Sequence, residues 1–176
     1  MARKSYYTGC HCDKYRLVHP DKYLNPGTVD VEYKSDWERK VFIFCDLNPF
    51  VTKWGYEPFA ISYYSPVQQK QSIYKPDVYV ECQYDDGKRE RWLIEIKPVT
   101  YSVVHKAPKA PGDGATAKQI ANYQKRELAY RRKSMDVATN FAKWEAAEQW
   151  CKNHGVNWLV LNESNTLGLF KSGQGV

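Results

Sequence analysis

The stretch PDVYVECQYDDGKRERWLIEIKP, residues 76–98, consists of two apolar runs joined by Asp85-Asp86-Gly87-Lys88, and its reading decides the fold. A turn of this composition between two β-rich runs predicts an antiparallel hairpin. One strand is expected over Ser72 to Tyr84 and the next over Glu90 to Val99. Side chains alternate faces along a strand, so Glu95 and Lys97 point the same way while Ile96 turns into the core. With Asp77 on that side too, two carboxylates and an ammonium meet, and a divalent cation fits between the carboxylates.

That residue set suits phosphodiester hydrolysis. The reaction needs neutralised non-bridging oxygens, an activated water in line with the leaving oxygen, and help for the leaving group, all of which divalent ions supply. Mg2+ (with Mn2+ as substitute) keeps several waters and takes one or two carboxylates, which suits Asp77 and Glu95 with the Ile96 carbonyl as a further ligand. Lys97 would orient or deprotonate the attacking water and offset phosphate charge. The alternative makes Asp77 a turn residue and Glu95 and Lys97 neighbours on an exposed strand. Trp92-Leu93-Ile94-Glu95-Ile96-Lys97-Pro98 is too apolar for a strand facing water, which favours the site.

Upstream, Ser35 starts a helix whose apolar positions Trp37, Val41, Phe44 and Cys45 recur at helical spacing, and Asn48-Pro49 stops it. Glu38 lies in its first turn. Ser35-Asp36-Trp37-Glu38 fits a capping box, in which Glu38 bonds back to the Ser35 N–H, and on the residues alone capping outweighs catalysis. Glu57 and Glu81 are the other carboxylates to consider, Glu81 sharing a strand face with Asp77.

Residues 1–32 show no periodicity and read as an extended arm, mostly loop; Phe59 to Tyr64 reads as a strand. Residues 102–116 are rich in Pro and Gly and predict a flexible loop able to close over DNA. Ala117 to Asn153 reads as helix, broken near Ser134. Val137, Phe141, Trp144, Ala147 and Cys151 form the apolar face of its second half, and His154-Gly155 ends it. Asn157 to Leu161 predicts a short buried strand, and the last residues, from about 166, a frayed tail. The order helix, three strands, helices, strand is α/β, a mixed sheet flanked by helices, with the core over residues 33–165.

Composition narrows the function classes. A chain of 176 residues is the size of one domain and buries a core without disulfide staples. Neither a stretch of about 18 apolar residues nor a signal-peptide h-region is present, so a soluble cytosolic product with no membrane role is expected. The 5 cysteines are an odd count and read as reduced thiols. Cys10-His11-Cys12 with His19 supplies soft ligands but lacks the spacing of structural zinc sites. A net charge of +6 favours a polyanionic partner. Basic residues cluster at Lys125, Arg126, Arg131, Arg132 and Lys133, with Arg3, Lys4 and Lys14 on the arm. A solvated helix face is the plainer reading of that cluster, but beside an acidic pocket it suits a phosphodiester. No nucleophile elbow, Walker or Rossmann glycine pattern occurs, which sets cofactor enzymes aside.

Pro76-Asp77 followed by Glu95-Ile96-Lys97, with a helix bearing Glu38 before and a helix and strand after, resembles the PD-(D/E)xK nuclease superfamily. That resemblance implies a restriction-endonuclease-like αβββαβ core. Tyr33-Lys34-Ser35-Asp36-Trp37-Glu38, Asn48-Pro49, Trp54 and Tyr56-Glu57 are similar to the N-terminal domain of the transposon endonuclease TnsA, where the helix glutamate belongs to the active site; this raises Glu38 above its capping role. Ala2-Arg3-Lys4-Ser5-Tyr6-Tyr7, Tyr64-Ser65-Pro66 and Lys143 to Cys151 further resemble the head completion nucleases of contractile-tailed bacteriophages. The resemblance implies a Mg2+-dependent DNA endonuclease with Glu38, Asp77, Glu95 and Lys97 as catalytic residues and the first three as metal ligands. It also implies double-stranded DNA and the phage portal and neck proteins as partners, and a location at the head-neck vertex of the virion or in the host cytoplasm during assembly. A non-catalytic neck or head-closure protein on an inherited nuclease fold is the rival, and a repair or Holliday-junction nuclease a third reading.

Overall fold

The computed structural model describes residues 13–165. Arg3, Lys4, the Cys10-His11-Cys12 set and the tail from 166 lie outside them. In chain order the elements are β1 (Asp13–Arg16), a 3-10 turn (Pro20–Lys22), β2 (Asp30–Tyr33), α1 (Asp36–Leu47), β3 (Val51–Tyr56), β4 (Ile61–Ser65), β5 (Lys70–Tyr74), β6 (Val78–Gln83) and β7 (Arg89–Ile96). A second 3-10 turn (Val99–Tyr101), α2 (Ala117–His154) and β8 (Asn157–Leu161) follow. The central sheet has the order β3-β6-β7-β8, antiparallel except for the parallel β7–β8 pair. With α1 and α2 it forms a restriction-endonuclease-like αβββαβ core, in which the β4–β5 hairpin is an insertion between β3 and β6.

Local chemistry explains these elements. At the start of α1 the Ser35 hydroxyl accepts from the Glu38 N–H at 3.2 Å, and Asp36 and Glu38 in the first turn complement the helix dipole. Pro49 forces Asn48 into extended backbone (φ −70°, ψ 124°), which ends the helix. The β6–β7 turn closes through Tyr84 N–H to Lys88 O at 2.9 Å, with Gly87 at φ 82° where a side chain would be strained. Val78, Tyr79 and Val80 of β6 and Leu93 to Ile96 of β7 are all buried. Both sheet faces are therefore covered: Val78, Val80, Ile94 and Ile96 pack with Val41, Phe42 and Trp54, and Tyr79 and Leu93 with Ala147 and Cys151 of α2.

Several expectations are corrected. The segment 13–32 is more than a loop: β1 and β2 pair, and Leu17, Tyr23 and Val31 enter the main core. Asp46, fully buried at the end of α1, anchors the segment by accepting from Tyr15 Oη at 2.7 Å, Val18 N–H at 2.7 Å and His19 N–H at 3.0 Å. The strand expected from Ser72 to Tyr84 is two strands, because Pro76 has no N–H for a ladder and β5 pairs with β4 instead. α2 runs unbroken through Ser134 for 38 residues, since one serine amid strong helix formers costs only about 0.5 kcal/mol. Thr116 and Gln119 form its capping box, and Gly155 (φ 62°) closes it. In β8 only Leu161 is buried, not the whole strand. Among the described residues no helix is long and apolar enough to cross a membrane.

Candidate active site

Register sets the first pair. Val78 lies opposite both Tyr56 and Ile94, so one residue back along β6 Asp77 sits between Glu57 and Glu95. The Glu57 N–H donates to the Asp77 carbonyl at 2.8 Å, and the Ile96 N–H to Asp77 Oδ2 at 2.7 Å. Asp77 and Glu95 share the sheet face that Tyr79 and Leu93 turn towards α2. Glu95 is only 3% exposed. Its Oε2 accepts from the Tyr74 hydroxyl at 2.5 Å, and its Oε1 lies 3.6 Å from Lys97 Nζ. The sequence-predicted trio of Asp77, Glu95 and Lys97 is thus gathered in one place.

Electrostatics disfavour a charged Asp77 beside Glu95. Burial, and then the charge of Glu95, push the Asp77 carboxyl well above the usual carboxylate range, with Glu38 adding to the push. The Ile96 N–H and Lys97 pull the other way. Each carboxylate receives one hydrogen bond, Asp77 at Oδ2 and Glu95 at Oε2.

Glu38 lies in the first turn of α1 and makes half of the expected capping box. Its N–H caps to Ser35, while its carboxylate turns back to the Lys34 N–H at 2.5 Å, one residue beyond the partner a capping box would use. Burial raises its carboxyl, opposed by the Lys34 N–H and the Lys34 charge. Glu57 pairs with Lys34 Nζ at 2.7 Å. Glu81 accepts from Tyr79 Oη at 2.9 Å and stands roughly 13 Å along the strand from Asp77, too far to join it.

Among the described residues no group of three or more His, Cys, Asp or Glu side chains converges closely enough to hold a metal ion. Asp77 and Glu95 are therefore the carboxylates that could supply metal donors at the sheet, and Glu38 bears on Asp77 through its charge. A two-carboxylate set fits Mg2+, which retains most of its water shell.

Two contributors escape a reading of motifs. Tyr74, from the β4–β5 hairpin, holds Glu95. Lys143, from α2, places its Nζ 5.6 Å from the centroid of the Tyr74 ring and 5.9 Å from that of Tyr63. Burial, and then the nearby Lys97, lower its proton affinity, against the pull of Glu95 and Asp77. Lys125, Arg126, Arg131, Arg132 and Lys133 are all exposed on the projecting half of α2, with Arg131 paired to Glu127 at 2.6 Å.

An αβββαβ core with Asp at the start of one central strand and Glu-x-Lys at the end of its neighbour defines a restriction-endonuclease-like nuclease domain. A family profile described as TnsA-like endonuclease N terminal matches residues 48–163, and the chain belongs to that family. The matched segment contains Asp77, Glu95, Lys97 and Lys143, whereas Glu38 precedes it. The chain is also similar to the head completion nuclease of Enterobacteria phage T4, at 27% identity over 142 residues, covering 79% of this chain and 83% of that protein.

Proposed function

We propose that the protein is a Mg2+-dependent endonuclease cutting double-stranded DNA during phage head completion, after packaging. The observation that carries this reading is the placement of half-buried Asp77 beside buried Glu95 across β6 and β7. Two like charges brought together away from most solvent are costly without a counter-ion, and a fold does not gain stability by placing them there. Mn2+ would substitute. Mg2+ held by Asp77, Glu95 and the Ile96 carbonyl would supply charge neutralisation at the phosphate and a more acidic water. Lys97, one of whose neighbours is Glu95, orients or deprotonates that water and offsets phosphate charge. Glu38 serves as an accessory acid that adds negative charge behind Asp77.

The exposed row from Lys125 to Lys133 lies along the same helix as Lys143, with Lys133 about 15 Å away along the axis, and would hold the DNA backbone. Such contacts go to phosphates, so base specificity is low and binding weakens steeply with salt. The similarity to the phage protein supports a place at the head-neck vertex or in the host cytoplasm during assembly, with portal and neck proteins as neighbours.

Cleavage of supercoiled and linear duplex in Mg2+ or Mn2+ by the wild type, Asp77→Ala and Lys97→Ala tests the reading. Cutting lost in both variants, with DNA binding kept, supports it. A wild type that binds DNA without cutting it would turn the assignment to a structural head-closure protein on a nuclease fold.

A further inference from the structure

We propose that Lys143 is a phosphate-binding residue of this site, its ammonium taking a non-bridging oxygen of the DNA strand laid over β6 and β7. The inference rests on the reading of Asp77 and Glu95 as the place of phosphodiester hydrolysis. It names a contact with the substrate that neither the hairpin motif nor the exposed basic row includes.

Three observations lead to it. First, Lys143 is half-buried, yet among the described residues it has neither a carboxylate partner nor a hydrogen bond; Lys34, Lys40, Lys88, Lys97 and Lys152 each lie beside one. A partly desolvated ammonium without a counter-ion is costly, and the faces of Tyr63 and Tyr74 offset only part of that cost. Second, the Tyr74 ring beneath Lys143 is the ring whose hydroxyl donates to Glu95. The cation is thereby fixed relative to the carboxylate pair through one rigid side chain. Third, the charged groups that act on Lys143 are Lys97, Glu95 and Asp77, so its field belongs to the site and not to the outer surface of α2. Two lysines from different elements then flank one acidic pair. An anion arriving between them relieves their mutual repulsion and supplies the partner Lys143 lacks.

The test is the salt dependence of binding to a short fluorescein-labelled duplex, followed by anisotropy in Mg2+ on the Lys97→Ala chain, which on the proposed function should bind without cutting. Adding Lys143→Met should reduce the slope of log K against log salt by about one, the signature of one lost phosphate contact. Lys143→Arg should keep the slope, and Lys152→Met, which removes a surface cation paired with Glu148, should leave it unchanged. A residue that merely packs on Tyr74 would not move the slope, so an unchanged slope in Lys143→Met overturns the proposal. Lys143→Gln carries the same test should the methionine variant fail to fold. Cleavage by the wild type, measured separately, keeps the two claims apart. A slope change without wild-type cleavage refutes the nuclease reading alone, and cleavage with an unchanged slope refutes the role of Lys143 alone.

Discussion

Replacing Tyr74 by Phe removes one oxygen and nothing else, at the point where the β4–β5 insertion meets the acidic pair. The hydroxyl lies 2.5 Å from Glu95 Oε2, and both residues are buried, Tyr74 at 5% exposure and Glu95 at 3%. Phenylalanine keeps the ring, so no cavity opens and the cation–π contact with Lys143 at 5.6 Å survives. The carboxylate loses a charge-assisted bond, and Lys97 Nζ, 3.6 Å from the other oxygen, is too distant to replace it. A hydrogen bond to a charged group contributes about 1.5–3 kcal/mol. For a chain of this size that corresponds to a fall in Tm of roughly 4–10 °C. Urea unfolding in EDTA should show a lower midpoint at unchanged m, and cleavage in Mg2+ should slow because Glu95 loses the bond that fixes its orientation. A loss below about 0.5 kcal/mol, the range of an ordinary surface substitution, would refute the claim that Tyr74 supports the carboxylate.

Further outcomes are expected elsewhere. Asp77 and Glu38 carboxyls are held above their ordinary values of 3.8 and 4.5, so the folded chain binds more protons than the unfolded one between those values and the folded ones. The stability they contribute without metal is therefore present at the acidic end and lost as pH rises through their folded values. The stability of Asp77→Asn relative to wild type, from urea titrations in EDTA, should accordingly grow with pH; a constant difference would contradict the assignment. Asp46→Ala should cost about 1.5–3 kcal/mol, because the Tyr15 hydroxyl and the Val18 and His19 N–H groups lose the buried carboxylate that accepts from them, and thermal unfolding would register it. Gly155→Ala puts a side chain at φ 62°, with its Cβ 3.3 Å from Arg91 Nη2, and should cost about 1–2 kcal/mol. Native Cys45, 1% exposed with its thiol pushed up by burial, should react with a thiol reagent only as fast as the protein opens.

What could be read in the chain was what local rules control. The β6–β7 turn follows from Asp85-Asp86-Gly87, the start of α1 from Ser35, and the shared face of Glu95 and Lys97 from strand alternation. What could not be read depends on distant partners or broken periods. β3 is obscured by a register shift between Val51 and Lys53 and by Gly55, whose missing side chain makes room for Leu24. The segment 13–32 has no period because its order comes from Asp46, contributed by α1. Pro76 was a visible breaker inside the Ser72–Tyr84 run, and it separates the strand that positions Asp77 from the one that brings Tyr74. Lys143 sat in a helix whose apolar face was legible, but its approach to Tyr74 and Tyr63 exists only once the β4–β5 hairpin packs on α2.

In the function proposed here, Asp77 and Glu95 jointly hold one divalent cation. Titrating Mn2+ into the metal-free protein, followed by electron paramagnetic resonance, should reveal a saturable site in the wild type that is lost in both Asp77→Asn and Glu95→Gln while both remain folded. Equal Mn2+ binding by the wild type and either variant, or DNA cleavage by the wild type in EDTA, would contradict it.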